Sequence, residues 1–173
     1  MVEIRQLDAA EAREHLSALA EVLRDCVEGG ASVSFIAPFS QAEAEAFFYR
    51  VAVGIERGER ILLAAFDEAR LIGTVQIVLD TPPNQPHRAD VAKLLVHRSA
   101  RGLGIAKRLM KAAEETSLRA GKTLLVLDTV TGSVAEKLYK DLGWTVVGVI
   151  PDYALFPDGR FCDTTVFFKR LPQ

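Results

Sequence analysis

The residue types best suited to chemistry gather in one stretch, Arg88 to Gly121. An apolar, β-compatible run from Val91 to Val96 meets a short polar link. Gly102 and Gly104 follow, then a helical pattern in which Ala106, Leu109, Met110, Ala113, Ser117 and Ala120 share one stripe. A strand thus feeds a glycine-rich turn into a helix N-terminus. The chemistry of such a joint is anion binding: the first amides of a helix have no intrahelical acceptor, and the helix dipole adds positive potential at the same point. Glycines let an anion approach the backbone closely. Two acids also stand apart. Asp128 ends the otherwise apolar run L-L-V-L-D, and Asp90 sits at the start of the central strand.

Spacing narrows the anion. The phosphate loop G-x-x-x-x-G-K-[ST] does not occur. The dinucleotide fingerprint G-x-G-x-x-G fails at its third glycine, where Lys107 stands. Arg101, Gly104 and Ala106 instead fit R-x-x-G-x-A.

The elements that must position this turn can be read around it. Val2 to Leu7 alternates as a first strand. Asp8 with Glu11 signals a helix start, and a stripe from Ala12 to Val27 carries one helix to Gly29-Gly30. Ser40 with Glu43 repeats the signal for a second helix, ended near Gly58. Arg60–Phe66 and Leu71–Leu79 read as a hairpin, Thr123–Thr129 as a buried strand, and Ser133 with Glu136 as a third capping box opening a helix ended by Gly143. Trp144–Ile150 and Phe161–Lys169 are the last strands, joined by Pro151–Arg160. The predicted order is β-α-α-β-β-β-α-β-α-β-β, an α/β or α+β arrangement with one sheet between helices.

Composition sets limits. The chain has 173 residues, enough for one domain, 1–173, with a full core. A net charge of −2 leaves no electrostatic footprint for nucleic acid or an anionic membrane surface. No apolar run nears the roughly 18 residues of a membrane span, and no leader pattern is read, so the expected location is cytoplasmic. Cys26 and Cys162 have no metal or redox spacing and read as buried thiols. His15, His87 and His97 share no ligand spacing, so no metal is expected.

The R-x-x-G-x-A run resembles the pyrophosphate-cradling signature of the GCN5-related N-acetyltransferases (GNAT), and the element order is theirs as well. A second feature agrees: G132-S-V-A-E-K-L-Y-K-D-L-G-W is similar to the family's N-x-x-A-x-x-[L/F]-Y-x-x-x-G-[F/Y], with Gly132 where asparagine is usual. Arg98 stands where a proline is common. The segments Gly29–Phe35, Leu127–Thr129, Gly132–Glu136 and Pro157–Arg160 resemble the tabtoxin-resistance acetyltransferases within that family.

The resemblance implies a single mixed, mostly antiparallel sheet flanked by helices, and acetyl-coenzyme A as co-substrate with no metal. It implies cofactor contacts from Leu94, Leu95 and Val96 of a splayed strand, from Arg101, Gly102, Leu103, Gly104, Ile105 and Ala106 of the turn, and from Ser133. Acetyl transfer to an amine needs a polarised carbonyl, an amine freed of its proton and a stabilised thiolate. Backbone N–H groups near Leu95 or Val96 answer the first need. Asp128 and Asp90 are the candidates for the second, as bases or cation anchors. Tyr139 is the candidate acid for the third. Phe35 and Tyr153 are candidates to line the acceptor pocket. The expected acceptor is a small-molecule amine, amino-acid-like or toxin-like, taken by a monomer or homodimer. A peptide N-terminal acetyltransferase and a non-catalytic acyl-coenzyme A sensor are the rival readings.

Overall fold

The strand-forming runs are apolar at successive positions as well as alternate ones, which requires a sheet covered on both faces. The computed structural model, which describes residues 1–172, has that arrangement. Its elements are β1 (Val2–Leu7), α1 (Ala9–Glu14), α2 (Leu16–Glu28), α3 (Gln41–Glu56), β2 (Arg60–Asp67), β3 (Arg70–Val78), β4 (Arg88–Val96), α4 (Ile105–Arg119), β5 (Leu124–Val130), α5 (Val134–Asp141), β6 (Thr145–Leu155) and β7 (Phe161–Arg170). The strands form one sheet in the order β1-β2-β3-β4-β5-β7-β6. Every pairing is antiparallel except β4 with β5, the pair that α4 joins as a crossover. Among the described residues, no helix is long and apolar enough to cross a membrane.

Strand β2 shows how the two faces are filled. Leu62, Ala64 and Phe66 point into one core with Leu19, Leu23 and Phe48 of α2 and α3. Leu63 and Ala65, one residue out of phase, point into the other with Leu109 and Met110 of α4. The period of two thus divides a single apolar strand between two cores. The α4 core is stitched by charge as well. Lys169 Nζ of β7 lies 2.9 and 2.8 Å from the two carboxylate oxygens of Glu114 and donates at 2.8 Å to the Leu142 carbonyl. The Trp144 indole donates to the same Glu114 at 3.0 Å.

Three sequence-based expectations need adjustment. The single first helix is two, broken at His15, which closes α1 through its amide and opens α2 through its carbonyl. The Asp8 and Ser40 boxes form as expected, and the break brings both Ala12 and the Leu19–Leu23 stripe onto the same core. Strand β6 continues past Ile150 to Leu155. Pro151 has no N–H for a ladder, but β6 is an edge strand, where a proline is tolerated. The register with β7 jumps between Ile150 and Ala154 and then resumes. Glu136 completes no reciprocal box with Ser133: Ser133 Oγ accepts from the Glu136 amide at 3.1 Å, while the Glu136 carboxylate takes the N–H of Gly132, one residue earlier.

One ionic contact ties the α2 core to the end of β4. Buried Asp25 accepts the Arg98 amide at 2.8 Å and the Arg98 Nε at 2.8 Å, with His97 Nε2 at 3.6 Å. Burial favours the neutral acid, but the hydrogen bonds from Arg98 and the nearby His97 outweigh it and hold the Asp25 carboxyl below its usual range. A depressed folded-state pKa stabilises the fold above the unfolded value, and that stability disappears as pH falls through the folded one. Asp25→Asn is expected to lose about 1–3 kcal/mol at neutral pH. In urea titrations the gap to the unmodified protein narrows as pH drops below about 4. A gap that stays constant with pH would show that the carboxylate charge is not the source.

Candidate active site

Backbone pairing opens the site. Strands β4 and β5 pair only at Arg88 with Leu124, Ala89 with Leu125 and Asp90 with Val126. Beyond Val126, β5 keeps its other partner, β7, as far as Val130. From Val91 onward β4 therefore has no ladder partner on that side, and the two strands part. The departure coincides with a bulge in β4. Opposite β3, Ala92 faces Gln76 and Leu95 faces Thr74, so Lys93 and Leu94 share the space of Val75. Lys93 takes the left-handed conformation, with φ 53°. Gly73 makes room beside it, because a Cβ there would sit 2.9 Å from the Leu95 carbonyl.

The opening is a cavity of about 780 Å³. One half is bounded by Leu94, Leu95 and Val96, by the turn from Arg101 to Lys107, and by the first turns of α5. Gly104, the residue before α4, is left-handed at φ 74° and supplies no side-chain cap, unlike the starts of α1, α3 and α5. Among the described residues, the amides of Gly102, Leu103, Gly104, Ile105, Ala106 and Lys107 have no hydrogen-bond acceptor. A Cβ at Gly102 or Gly104 would meet open space. Such a row of unpaired donors at a helix N-terminus fits a phosphate or diphosphate. The Arg101 side chain folds away from it, donating to the Val96 carbonyl at 3.2 Å, so the turn acts through its backbone. Leu103 is exposed and outside the cavity lining. Ser133 lines the cavity while capping α5. Val134 beside it is 88% exposed, an apolar rim for a long ligand to cover.

The other half lies between the loop after α2, Gly30 to Ser34, and the β6–β7 end, where Tyr153, Phe156 and Cys162 line it. Asp128 and Tyr139 sit at the parting of the strands and line the same space. Thr164 donates to Asp128 Oδ2 at 2.8 Å, leaving Oδ1 without a partner among the described residues. Tyr139 is buried, its ring edge-on to Phe167 at 5.8 Å and tilted against Trp144 at 6.0 Å. Its hydroxyl has no protein partner among the described residues. Burial, and then the charge of Asp128, push this phenol well above the usual tyrosine range.

Two candidates fall elsewhere. Asp90 belongs to the part of β4 still paired with β5. It is ion-paired with Arg88, which Gln85 also holds, and does not line the cavity. Phe35 turns into a cluster with Phe39 and Phe47 at 4.4 and 5.4 Å. Sequence reasoning passed over Lys93, whose ammonium donates to Ser34 Oγ at 3.0 Å in the half of the cavity beside the loop after α2. The signal was present as a lone charge in V-A-K-L-L-V. Because Tyr139 stays protonated, changing it to Phe is expected to remove no phenolate absorbance below about pH 11 in a spectrophotometric titration of the folded protein. A loss of amplitude near pH 10 would place the phenol in solvent instead.

Solved structures share this architecture. An N-acetyltransferase from Staphylococcus aureus Mu50 superposes with a TM-score of 0.82 at 20% identity, covering 99% of each chain. The yncA protein of Salmonella typhimurium, determined with its cofactor acetyl-CoA, gives 0.80 at 18% identity, covering 100% of this chain and 95% of that one. A ribosomal-protein-alanine N-acetyltransferase from Brucella melitensis gives 0.79 at 22%, covering 98% and 99%. At these identities the likeness is one of fold. The family model is more specific: the acetyltransferase (GNAT) family matches residues 16–144, and the chain belongs to that family.

Proposed function

We propose that the protein transfers the acetyl group of acetyl-coenzyme A to the primary amine of a small molecule by direct attack. The observation that carries this reading is a single cavity containing both the unpaired amides after Arg101 and the Asp128–Tyr139 pair. The thioester, when bound, supplies an activated acetyl group. The chain's residues do the rest. The turn from Gly102 to Lys107 holds the diphosphate. The open side of β4 binds the pantetheine arm and directs an N–H at the carbonyl oxygen, where developing negative charge is stabilised. Asp128, with one oxygen held by Thr164 and the other free, anchors the ammonium and takes its proton directly or through a water. As the N–C bond forms and the C–S bond breaks, the Tyr139 hydroxyl donates a hydrogen bond to the sulfur. Asp90, tied to Arg88 outside the cavity, has no part in this assignment.

A small acceptor is favoured over a peptide because the acceptor side is bridged. Ser32 Oγ donates to the Leu155 carbonyl at 2.6 Å, and the Ala37 amide to that of Pro157 at 2.9 Å. These contacts join the loop after α2 to the β6–β7 end beside the cavity, which leaves less room for an extended chain than an open groove would. Of the four segments that resemble the tabtoxin-resistance enzymes, Gly29–Phe35 and Pro157–Arg160 each contribute one residue, Ser32 and Pro157, to this bridge. An acyl-coenzyme A sensor would have no use for a buried phenol with a vacant hydroxyl.

Thiol release from acetyl-coenzyme A in a screen of small amines tests the reading, and release dependent on an amine is expected. Tyr139→Phe should lower kcat by about 10²-fold with little change in cofactor affinity; an unchanged kcat would remove the acid role. Gly104→Trp should leave no saturable acetyl-coenzyme A binding by calorimetry, since the indole would fill open space in front of the amides. The left-handed strain at that position adds about 1–2 kcal/mol to its cost, so retained circular dichroism is the control. Normal binding would put the diphosphate somewhere else.

A further inference from the structure

Lys93 is out of keeping with its strand. It interrupts an apolar run, sits half-buried at the β4 bulge and forms no salt bridge among the described residues. Lys169, Arg88 and Arg98 each have a carboxylate partner. Lys93 has only the Ser34 hydroxyl, so of its three donors one is used. Asp128 lies beyond ion-pair distance but close enough that the two charges interact. Burial lowers the Lys93 pKa, Asp128 acts to raise it, and Arg60 lowers it further. The acceptor side of the cavity therefore presents a cation with spare donors on one strand and a carboxylate with a free oxygen on the next.

Two opposite charges facing one space but not joined fit a ligand that carries both signs. We propose that Lys93 is a specificity residue that binds an anionic group of the acceptor, and that the acceptor is a zwitterion of the amino-acid type. Its carboxylate pairs with Lys93 and Ser34, and its ammonium lies toward Asp128. This rests on the acetyl-transfer reading and deepens it. A neutral amine would leave Lys93 without a counter-charge, while a free α-carboxylate supplies one. A peptide N-terminus has no carboxylate beside its amine, so the same lysine disfavours peptides.

Thiol release is measured with a panel of L-amino acids and their primary amides, for the unmodified protein and Lys93→Met, with Lys93→Arg as the charge-keeping variant. Reactivity alone favours the amides, because their amines are less basic and less protonated near neutral pH. Acids are nevertheless expected to win in the unmodified protein, by roughly 10- to 100-fold in kcat/KM. Lys93→Met should bring the acid-to-amide ratio down toward one, and Lys93→Arg should restore part of it. Amides turned over as well as acids by the unmodified protein would overturn the proposal while leaving acetyl transfer standing. So would an equal loss on acid and amide in Lys93→Met, which would make the lysine a base or a structural support. If no amine releases thiol, the acetyl-transfer reading fails. Calorimetry of N-acetyl-L-amino acids against their amides then decides Lys93 separately: tighter binding of the acid that disappears in Lys93→Met supports anion recognition, and equal binding overturns it.

Discussion

The parting of β4 from β5 after three paired positions governs the site. A parallel pair normally continues until one strand ends, since each broken rung leaves a donor and an acceptor to satisfy. Here both strands go on, held from outside: β4 by β3 through Val96, and β5 by β7 through Val130. The bulge at Lys93 and Leu94 falls where the strands part, and a bulge bends its strand; Gly73 admits the close approach of the Leu95 carbonyl just beyond it. The unpaired edge that results lines the cavity, and in the proposed function its backbone is the binding surface. Backbone groups are supplied by every residue type except proline, which is why the residues lining that edge, Leu94 to Val96, look like ordinary core residues.

The same trade appears at the head of α4. A helix start without a side-chain cap is less stable than the capped starts of α1, α3 and α5, by about 1 kcal/mol. A serine or aspartate at Gly104 would have placed an acceptor where the diphosphate is proposed to sit. The turn is secured from behind instead. Asp25 holds the Arg98 amide and guanidinium, and Arg101 bonds back to Val96. Rigidity thus comes from the α2 side, and the donors on the open side stay available.

How much of this could be read from the sequence depended on whether a feature was local. The turn, the α4 stripe, the Asp8 and Ser40 caps and Tyr139 at its helical position are set by spacing within a few residues, and they were legible. Asp90 and Phe35 were misleading because their surroundings depend on partners chosen by the fold. Asp90 lies on the paired side of the parting and has Arg88 two residues away, while Phe35 finds Phe39 and Phe47. Lys93 was visible as an oddity but had no meaning until the bulge turned it toward Ser34, far away in sequence. The break at His15 was hidden because the apolar stripe runs through it without interruption. Pro151 suggested the end of a strand that continues, since an edge position removes the penalty for the missing N–H.

The raised pKa of Tyr139 limits what it can do in the proposed transfer. Even an unperturbed phenol near 10 gives up its proton to a thiolate near 8.5 only uphill, by about 2 kcal/mol, and burial next to Asp128 increases the gap. Full proton transfer is therefore the costlier path. A hydrogen bond that shortens as charge gathers on sulfur needs no ionisation, and it strengthens in a site from which water is excluded. Asp128 then has two effects that agree. Its charge adds to burial in keeping the phenol protonated and able to donate, and in the proposed transfer its free oxygen receives the ammonium that must lose a proton. In that proposal the donor phenol and the basic carboxylate both line the cavity at the point where the strands separate, so the geometry of that separation sets both.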